Sequence, residues 1–363
     1  MTKKIIINLS DKSHHIIIGK ETLEYTVKQV NSFNASKCLL VIDKNVLKYH
    51  SILIRKTFAL LNCKVFIYPL QATEKNKSLN ETGKIYQFLI DNYFDRNSIL
   101  IAIGGGITGD ISGFAASTFL RGIRFIQMPT TLLSMVDSSV GGKTGINFSD
   151  KKNMVGTFYQ PEFISVYPEF LSTLPKSELY SGTGEIFKYC FLTDNNNYDF
   201  LKSNLVKLFS SKKFDIKKVI YSCVKIKAGV VENDEKEIGG LRKILNLGHT
   251  FAHAFEVTSN YKINHGQAVT GGIFCSLFLS QILGYIQIES LNKFLNDFSF
   301  LKLNQRLKNI NPDLVFDVMK SDKKNFSGKI RFVLIQDVGN IITDVKVSKV
   351  QVITAIEKMK GMI

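Results

Sequence analysis

Short runs of Ile, Val and Leu recur through the first half of the chain, at Lys37 to Asp43, Val65 to Pro69, Ser98 to Ile103 and Arg124 to Pro129, with longer helical patterns between them. Strands separated by helix-length connections pair in parallel, so the spacing predicts a doubly wound α/β domain with a mostly parallel sheet. The N-terminal segment MTKKIIINLSDKSHHIIIG alternates like a strand pair. After Thr173-Leu174-Pro175 the texture changes, and helical periods dominate at 178–202, 217–232, 246–257 and 268–283. Val333 to Ile335 and Ile341 to Val345 then suggest a short hairpin. A chain of 363 residues exceeds the size of a single core. The expected organisation is therefore an N-terminal α/β domain over 1–175 and a mainly α-helical C-terminal domain over 176–363, without internal repeats.

The charge balance is strongly basic, +16 from 47 Lys and Arg against 31 Asp and Glu. That is compatible with nucleic acid, a membrane surface or an anionic small molecule. The lysines are scattered, and the densest group, Lys212, Lys213, Lys217 and Lys218, has the pattern of a polar helix face without interleaved aromatics. An anionic small-molecule substrate is the expectation, with no nucleic-acid or membrane partner. The five cysteines form no CxxC pair and are odd in number, which suggests neither a disulfide framework nor a thiolate metal site. A reducing, cytoplasmic location is expected. The N-terminus lacks the apolar core and cleavage site of a signal peptide, and no segment reaches the roughly 20 apolar residues of a membrane span.

Two segments of the first half carry chemistry. Ile99 to Ile103, then GGGITGD (Gly104 to Asp110) and the helical stretch 111–120, read as strand, glycine loop and helix. Such a loop lets the backbone approach a pyrophosphate, whose charge the helix N-terminus favours. No acidic residue ends the next strand, as the ordinary dinucleotide fingerprint requires, whereas Asp43 ends an earlier one. The second segment, PTTLLSMVDSSVGGKTGIN from Pro129 to Asn147, gathers hydroxyls, two glycines, Asp137 and Lys143 directly after a strand, at the sheet edge where α/β ligands bind.

The second half carries a metal pattern. Only six histidines are present, and His249, His253 and His265 cluster. His249 and His253, four apart, share a helical face, and His265 follows in NHGQAV. Three nitrogen or oxygen ligands with an open fourth position make a catalytic zinc site. For the carboxylate, Glu185, Asp234, Glu235 and Glu256 all remain candidates. Glu185 stands out because Lys188 lies three residues on, over the same helical face.

Taken in order, GGGITGDISGFAASTFLRGI, MPTTLLSMVDSSVGGKTGIN, KKNMVGTFYQP, SGTGEIFKY, LRKILNLGHTFAHAFE and NHGQAV closely resemble the 3-dehydroquinate synthases, a sugar phosphate cyclase family. The resemblance implies an N-terminal nucleotide-binding domain, a C-terminal metal domain and an active site between them. It implies Glu185, His249 and His265 as ligands to Zn2+, or to Co2+ in its place, with His253 as a substrate-contacting or supporting group. It implies NAD contacts at Asp43, Glu74, Lys77, Gly105, Gly106, Asp110, Thr130, Thr131, Thr173, Lys143 and Lys152. Substrate contacts implied are Asp137, Lys143, Lys152, Asn153, Lys188, Lys227, Arg242, Asn246, His253 and Lys323 or Lys324, and Arg121 is implied as a residue donated across a homodimer interface to the phosphate.

The same resemblance implies the reaction: 3-deoxy-D-arabino-heptulosonate 7-phosphate is oxidised at carbon 5, loses phosphate, is reduced again and closes by an aldol step to 3-dehydroquinate. Two departures from the family pattern are visible. Thr73 stands where the family carries Gly before Glu74, and EIGGLR is one residue longer than usual before Arg242. The competing readings are a cyclase acting on a sugar phosphate without a carboxylate, a metal-dependent polyol dehydrogenase that releases NADH, and a basic nucleic-acid-binding protein.

Overall fold

The computed structural model describes residues 2–10, 12–149, 151–210, 215–321 and 330–363. Contacts divide the chain into two units, Met1–Leu179 with Ile216–Lys236, and Tyr180–Asp215 with Glu237–Ile363. The division at 175 expected from sequence lies close to the first crossing, but one later helix departs from it. That helix, over Ile216–Asn233, packs on the N-terminal hairpin and on the turn Ser134–Ser138, so it belongs to the first unit. Its amphipathic pattern shows that one face is buried without showing against what.

The first unit contains β1 (Lys3–Ile7), β2 (His14–Ile18), α1 (Thr22–Ser32), β3 (Lys37–Asp43), α2 (Lys44–Phe58), β4 (Lys64–Leu70), α3 (Leu79–Asp91), β5 (Ile99–Gly104), α4 (Gly106–Thr118), β6 (Arg124–Pro129), the hairpin β7 (Lys143–Phe148) and β8 (Lys151–Phe158), and β9 (Phe163–Val166). Seven strands form one sheet in the order β1-β2-β9-β6-β5-β3-β4, and only β1 and β2 pair antiparallel. From β3 the chain steps outward to β4 and returns to β5 on the other side of β3. This reversal opens a crevice at the carboxyl ends of β3 and β5, the place where open α/β sheets bind ligands. A core of Leu39, Val41, Leu100, Ala102, Ile111 and Ala115, each at most 1% exposed, fixes α4 on the sheet beside that crevice.

Helix α5 (Lys176–Phe191) leads into the second unit. The helical stretch expected over 178–202 is broken there, because Asp194 caps a new helix, α6 (Asn195–Phe209), accepting the amide of Asn197 at 2.9 Å. The helix already placed in the first unit is α7. It is followed by α8 (His249–Thr258), α9 (His265–Ile282), α10 (Ile288–Asp297), α11 (Pro312–Ser321), the hairpin β10 (Phe332–Asp337) and β11 (Asn340–Val345), and α12 (Lys349–Lys360). Helix α9 is buried without a break from Ala268 to Ser280. It shows no polar stripe because α8, α10, α12 and β10 pack around it.

One buried titratable group is not among the expected site residues. His14, at the start of β2, is 3% exposed, and burial pushes its imidazole down to about 4. Between that value and the ordinary 6.5 the unfolded chain takes up a proton that the folded chain refuses. Stability of the first unit is therefore lost as pH falls from 6.5 towards 4, by on the order of 3 kcal/mol. Urea unfolding of wild type and His14→Leu should differ by a constant amount from pH 7 to 9 and shift against wild type below pH 6. An unchanging difference down to pH 4 would show that His14 is not held neutral.

Candidate nucleotide and metal sites

The carboxyl edge of the first unit's sheet collects most of the residues expected to hold a dinucleotide. Asp43 ends β3 and caps α2, its Oδ1 accepting from the Asn45 amide at 2.7 Å, and burial raises its carboxyl. Gly105 is the N-cap of α4 and supplies no side chain to its first turn, and Gly106 is its first residue. Amides at such an end are disposed towards an anion. Thr130 donates its amide to Gly104 O at 2.9 Å, and the Thr131 hydroxyl meets that of Ser134 at 2.9 Å. The next turn of α4 brings Asp110 to the Lys77 ammonium, which also reaches Asn153 Oδ1. Burial raises the carboxyl of Asp110 and Lys77 opposes this. Thr173 ends the turn that follows β9, its hydroxyl 2.7 Å from Nε2 of His50 on α2.

Sequence reading did not single out Asn147, yet it ties this edge together. Its amide donates to Lys77 O at 2.8 Å, its Nδ2 to Glu74 Oε1 at 2.8 Å, and its Oδ1 accepts from the Asn153 amide at 3.0 Å. The only signal was its place at the end of the motif that closes with GIN. In the same unit Lys227 of α7, 7% exposed, donates to Asp137 Oδ2 at 2.8 Å and to Asp137 O at 2.9 Å. Lys143 opens β7 and Lys152 lies in β8. Arg121 sits on an exposed turn where it and Leu120 both take positive φ, +68° and +50°.

The second unit holds the cation-binding geometry. Glu185 on α5, His249 at the start of α8 and His265 at the start of α9 place one donor atom each within 4.8 Å of one another. Glu185 Oε1 lies 3.4 Å from His249 Nε2 and 3.2 Å from His265 Nε2. Each of these residues is next to a glycine at which two backbones touch. A Cβ on Gly184 would fall 2.2 Å from Gly266 O, and one on Gly266 would fall 1.6 Å from Ser181 O, so α5 and α9 meet in direct contact. Gly248, at φ +77°, lets α8 begin against α9, and there a Cβ on Gly272 would stand 2.1 Å from Gly248 O.

The electrostatics suit a cation. Full burial alone would raise Glu185, but the charge of Lys188 and the two imidazoles overturn this and hold the carboxylate well below its usual range. Burial lowers His249 to about 4, so its ring is neutral, with Nδ1 donating to Leu247 O at 3.1 Å and Nε2 turned to the cluster. Burial also disfavours charge on His265, but the hydrogen bond to Glu185 and the Glu256 carboxylate 3.7 Å from Nδ1 outweigh it and raise the group to about 10. A proton thus occupies a position that a metal ion would take over, and the donor set of two imidazoles and one carboxylate fits zinc or cobalt.

Of the carboxylates left open by sequence, Glu185 joins this cluster, whereas Asp234 and Glu235 fall in the first unit, where Glu235 accepts from Gln160 at 2.8 Å. His253, although on the same face of α8 as His249 with ring centroids 5.6 Å apart, is not one of the three clustered donors. Arg242 is 2% exposed with Nε 3.7 Å from Glu237 Oε1, and Asn246 closes the same 3-10 turn. Lys323 and Lys324 lie outside the described residues.

Comparison with known proteins decides the family. The model of the 3-dehydroquinate synthase N-terminal region matches residues 67–181, and that of the C-terminal region matches 182–325. A curated 3-dehydroquinate synthase of Pelagibacter ubique is 44% identical over 348 residues, spanning 93% of both chains. The chain belongs to the 3-dehydroquinate synthase family. A second 3-dehydroquinate synthase, from Acetivibrio thermocellus, is 39% identical over 91% of this chain and 92% of its own. Among solved structures, the 2-epi-5-epi-valiolone synthase of Streptomyces hygroscopicus, with NAD+ and Zn2+ bound, superposes with a TM-score of 0.87 at 23% identity, over 98% of each chain. Glycerol dehydrogenase of Schizosaccharomyces pombe reaches 0.66 at 15% identity, over 96% of this chain and 89% of its own. These two share the fold. The activity named by the sequence relatives is that of a 3-dehydroquinate synthase, not of a polyol dehydrogenase or a nucleic-acid-binding protein.

The contact between α5 and α9 makes a direct prediction for this chain. Gly266→Ala forces a methyl into the Ser181 carbonyl, and overpacking of this kind costs about 1–3 kcal/mol or more. The protein should melt lower and be purified with less bound metal. Gly229→Ala in α7, where a Cβ meets nothing within 4 Å, should keep its metal and melt unchanged or higher. Equal metal content in wild type and Gly266→Ala would disconnect that contact from the cluster.

Proposed function

We propose that this enzyme is an NAD- and metal-dependent carbon-oxygen lyase that converts 3-deoxy-D-arabino-heptulosonate 7-phosphate to 3-dehydroquinate and phosphate, with Glu185, His249 and His265 holding Zn2+ or Co2+. The observation that carries the metal reading is the convergence of those three donors within 4.8 Å. The dinucleotide is assigned to the edge formed by Asp43, Glu74, Lys77, Gly105, Gly106, Asp110, Thr130 and Thr131, with Thr173, Lys143 and Lys152 as further contacts. When bound, NAD supplies the hydride acceptor and donor for carbon 5, and the cation a Lewis acid for oxygens of the substrate.

The remaining chemistry falls to the protein's own groups. A carbonyl at carbon 5 makes the proton on carbon 6 acidic, and the departing phosphate can itself remove that proton. Cationic and amide side chains at Lys152, Asn153, Lys188 and Lys323 or Lys324 are assigned to the phosphate, where they stabilise the charge that develops on it. Arg121, exposed on its strained turn, is assigned to the phosphate held by a second copy, which makes a homodimer part of the proposal. Arg242 presents a planar fork that suits the substrate carboxylate better than a lysine does, with Asn246 in the same turn. Asp137, held by Lys227, and His253 are assigned to moving protons through water.

No helix among the described residues is long and apolar enough to cross a membrane, and with the scattered lysines this supports a cytoplasmic enzyme acting on a small anion. Phosphate release from the heptulosonate phosphate should require both NAD and metal, with no net accumulation of NADH. Steady NADH production would favour a dehydrogenase instead. Arg242→Ala should lower kcat/KM by roughly 100-fold, on the order of the 2–5 kcal/mol lost when a buried charge partner is truncated, with NAD affinity almost unchanged. Equal turnover of a heptulose phosphate lacking the carboxylate would remove Arg242 from that role.

A further inference from the structure

The two imidazoles of the metal cluster are oriented by different devices. His249 is fixed by the backbone, its Nδ1 donating to Leu247 O at 3.1 Å. His265 has no such carbonyl among its hydrogen bonds given by the described residues; its Nδ1 faces Glu256 Oε2 at 3.7 Å. Glu256 is on α8 at the position seven after His249, so the helix that contributes one imidazole also carries the carboxylate that faces the other. That carboxylate is 6% exposed, in a helix packed along α9, where His265 is the first residue. Burying a carboxylate is costly unless it is matched by a donor, so its place behind the ring is not an incidental surface contact.

We propose that Glu256 is the positioning residue of the metal site: it holds the Nδ1–H of His265 and so leaves Nε2 as the atom offered to the cation. A carboxylate behind a ligating imidazole does three things. It selects the tautomer, it limits rotation of the ring, and it makes the ligating nitrogen a stronger donor. Groups in this position typically govern metal affinity by 10–100-fold. The inference rests on Glu185, His249 and His265 being the ligands, and it adds a role for a residue that touches neither the cation nor the substrate.

The test uses the full-length chain, stripped with chelator and titrated with Zn2+ against a chromophoric competitor. Glu256→Gln keeps size and one acceptor while removing charge, and Glu256→Ala removes both. Zn2+ affinity should fall by roughly 10-fold in the first and towards 100-fold in the second. The visible spectrum of the cobalt-loaded protein at saturating Co2+ should change in Glu256→Ala, because the ring is then free to turn, and should be restored towards wild type in Glu256→Asp. Wild-type affinity and an unchanged cobalt spectrum in both Glu256→Gln and Glu256→Ala would overturn the proposal. Glu185→Gln separates the two readings: if it also binds Zn2+ as wild type does, the ligand assignment itself is wrong, whereas a loss confined to Glu185→Gln rejects only the role of Glu256. Should Glu256→Ala fail to fold, Glu256→Gln decides alone.

Discussion

The three donors of the metal cluster come together where α9 touches both α5 and α8 backbone to backbone. Ordinary helix packing keeps axes 8–10 Å apart because side chains stand between them. Here Gly184, Gly248, Gly266 and Gly272 remove those side chains, three of them immediately beside the clustered Glu and His residues. Short side chains such as Glu and His can then converge without extended, mobile spacers. The arrangement also explains why α9 is buried all round: a helix approached this closely by α8, and contacted besides by α10, α12 and β10, has no face left for water. Rigidity of the donor set follows from the same contacts.

Each unit shelters a few charged side chains from solvent beside a partner of opposite sign. Lys227 meets Asp137 and Lys77 meets Asp110 in the first unit, and Lys188 meets Glu185 in the second. Buried pairs of this kind are poor sources of stability, because desolvation offsets most of the attraction. Their value is that several ionic groups are held ready at fixed positions. The first unit places its pairs around the carboxyl edge of the sheet, where reversal of strand order at β3 opens the crevice. The fold thus fixes the location, and the N-terminus of α4, with Gly105 as its cap, is what favours an anion there.

Parts of this were legible in the residues. Strands β3 and β6 run over the segments expected, since a continuous apolar run bounded by turns leaves little choice. The hairpin of β7 and β8 was not read, because β8 is mostly exposed and carries Lys151, Lys152 and Asn153 with no apolar alternation to mark it. Helix α7 was read correctly as a helix, but its allegiance to the first unit depends on contacts between distant segments. The metal cluster shows the same limit. Four-residue spacing put His249 and His253 on one face, yet the donors that converge come from three helices. Local periodicity reports which side chains share a face; it carries no information about which other helix arrives opposite them. The residues alone left four carboxylates open, and only resemblance to a family whose motifs span most of the chain narrowed them to Glu185.

The spacing of the donors along the chain also orders their assembly in time. Glu185 and His265 are 80 residues apart, so during synthesis the carboxylate emerges long before its more distant imidazole. The donor set is incomplete until α9 has been made and has docked, and a cation arriving earlier finds fewer ligands. Lys188, one turn away on the same helix, is the one partner of Glu185 in the folded cluster that is local in sequence. A site that closes in sequence this late depends on α9 for its completion, so a chain cut before His265 would carry the carboxylate and one imidazole without the third donor.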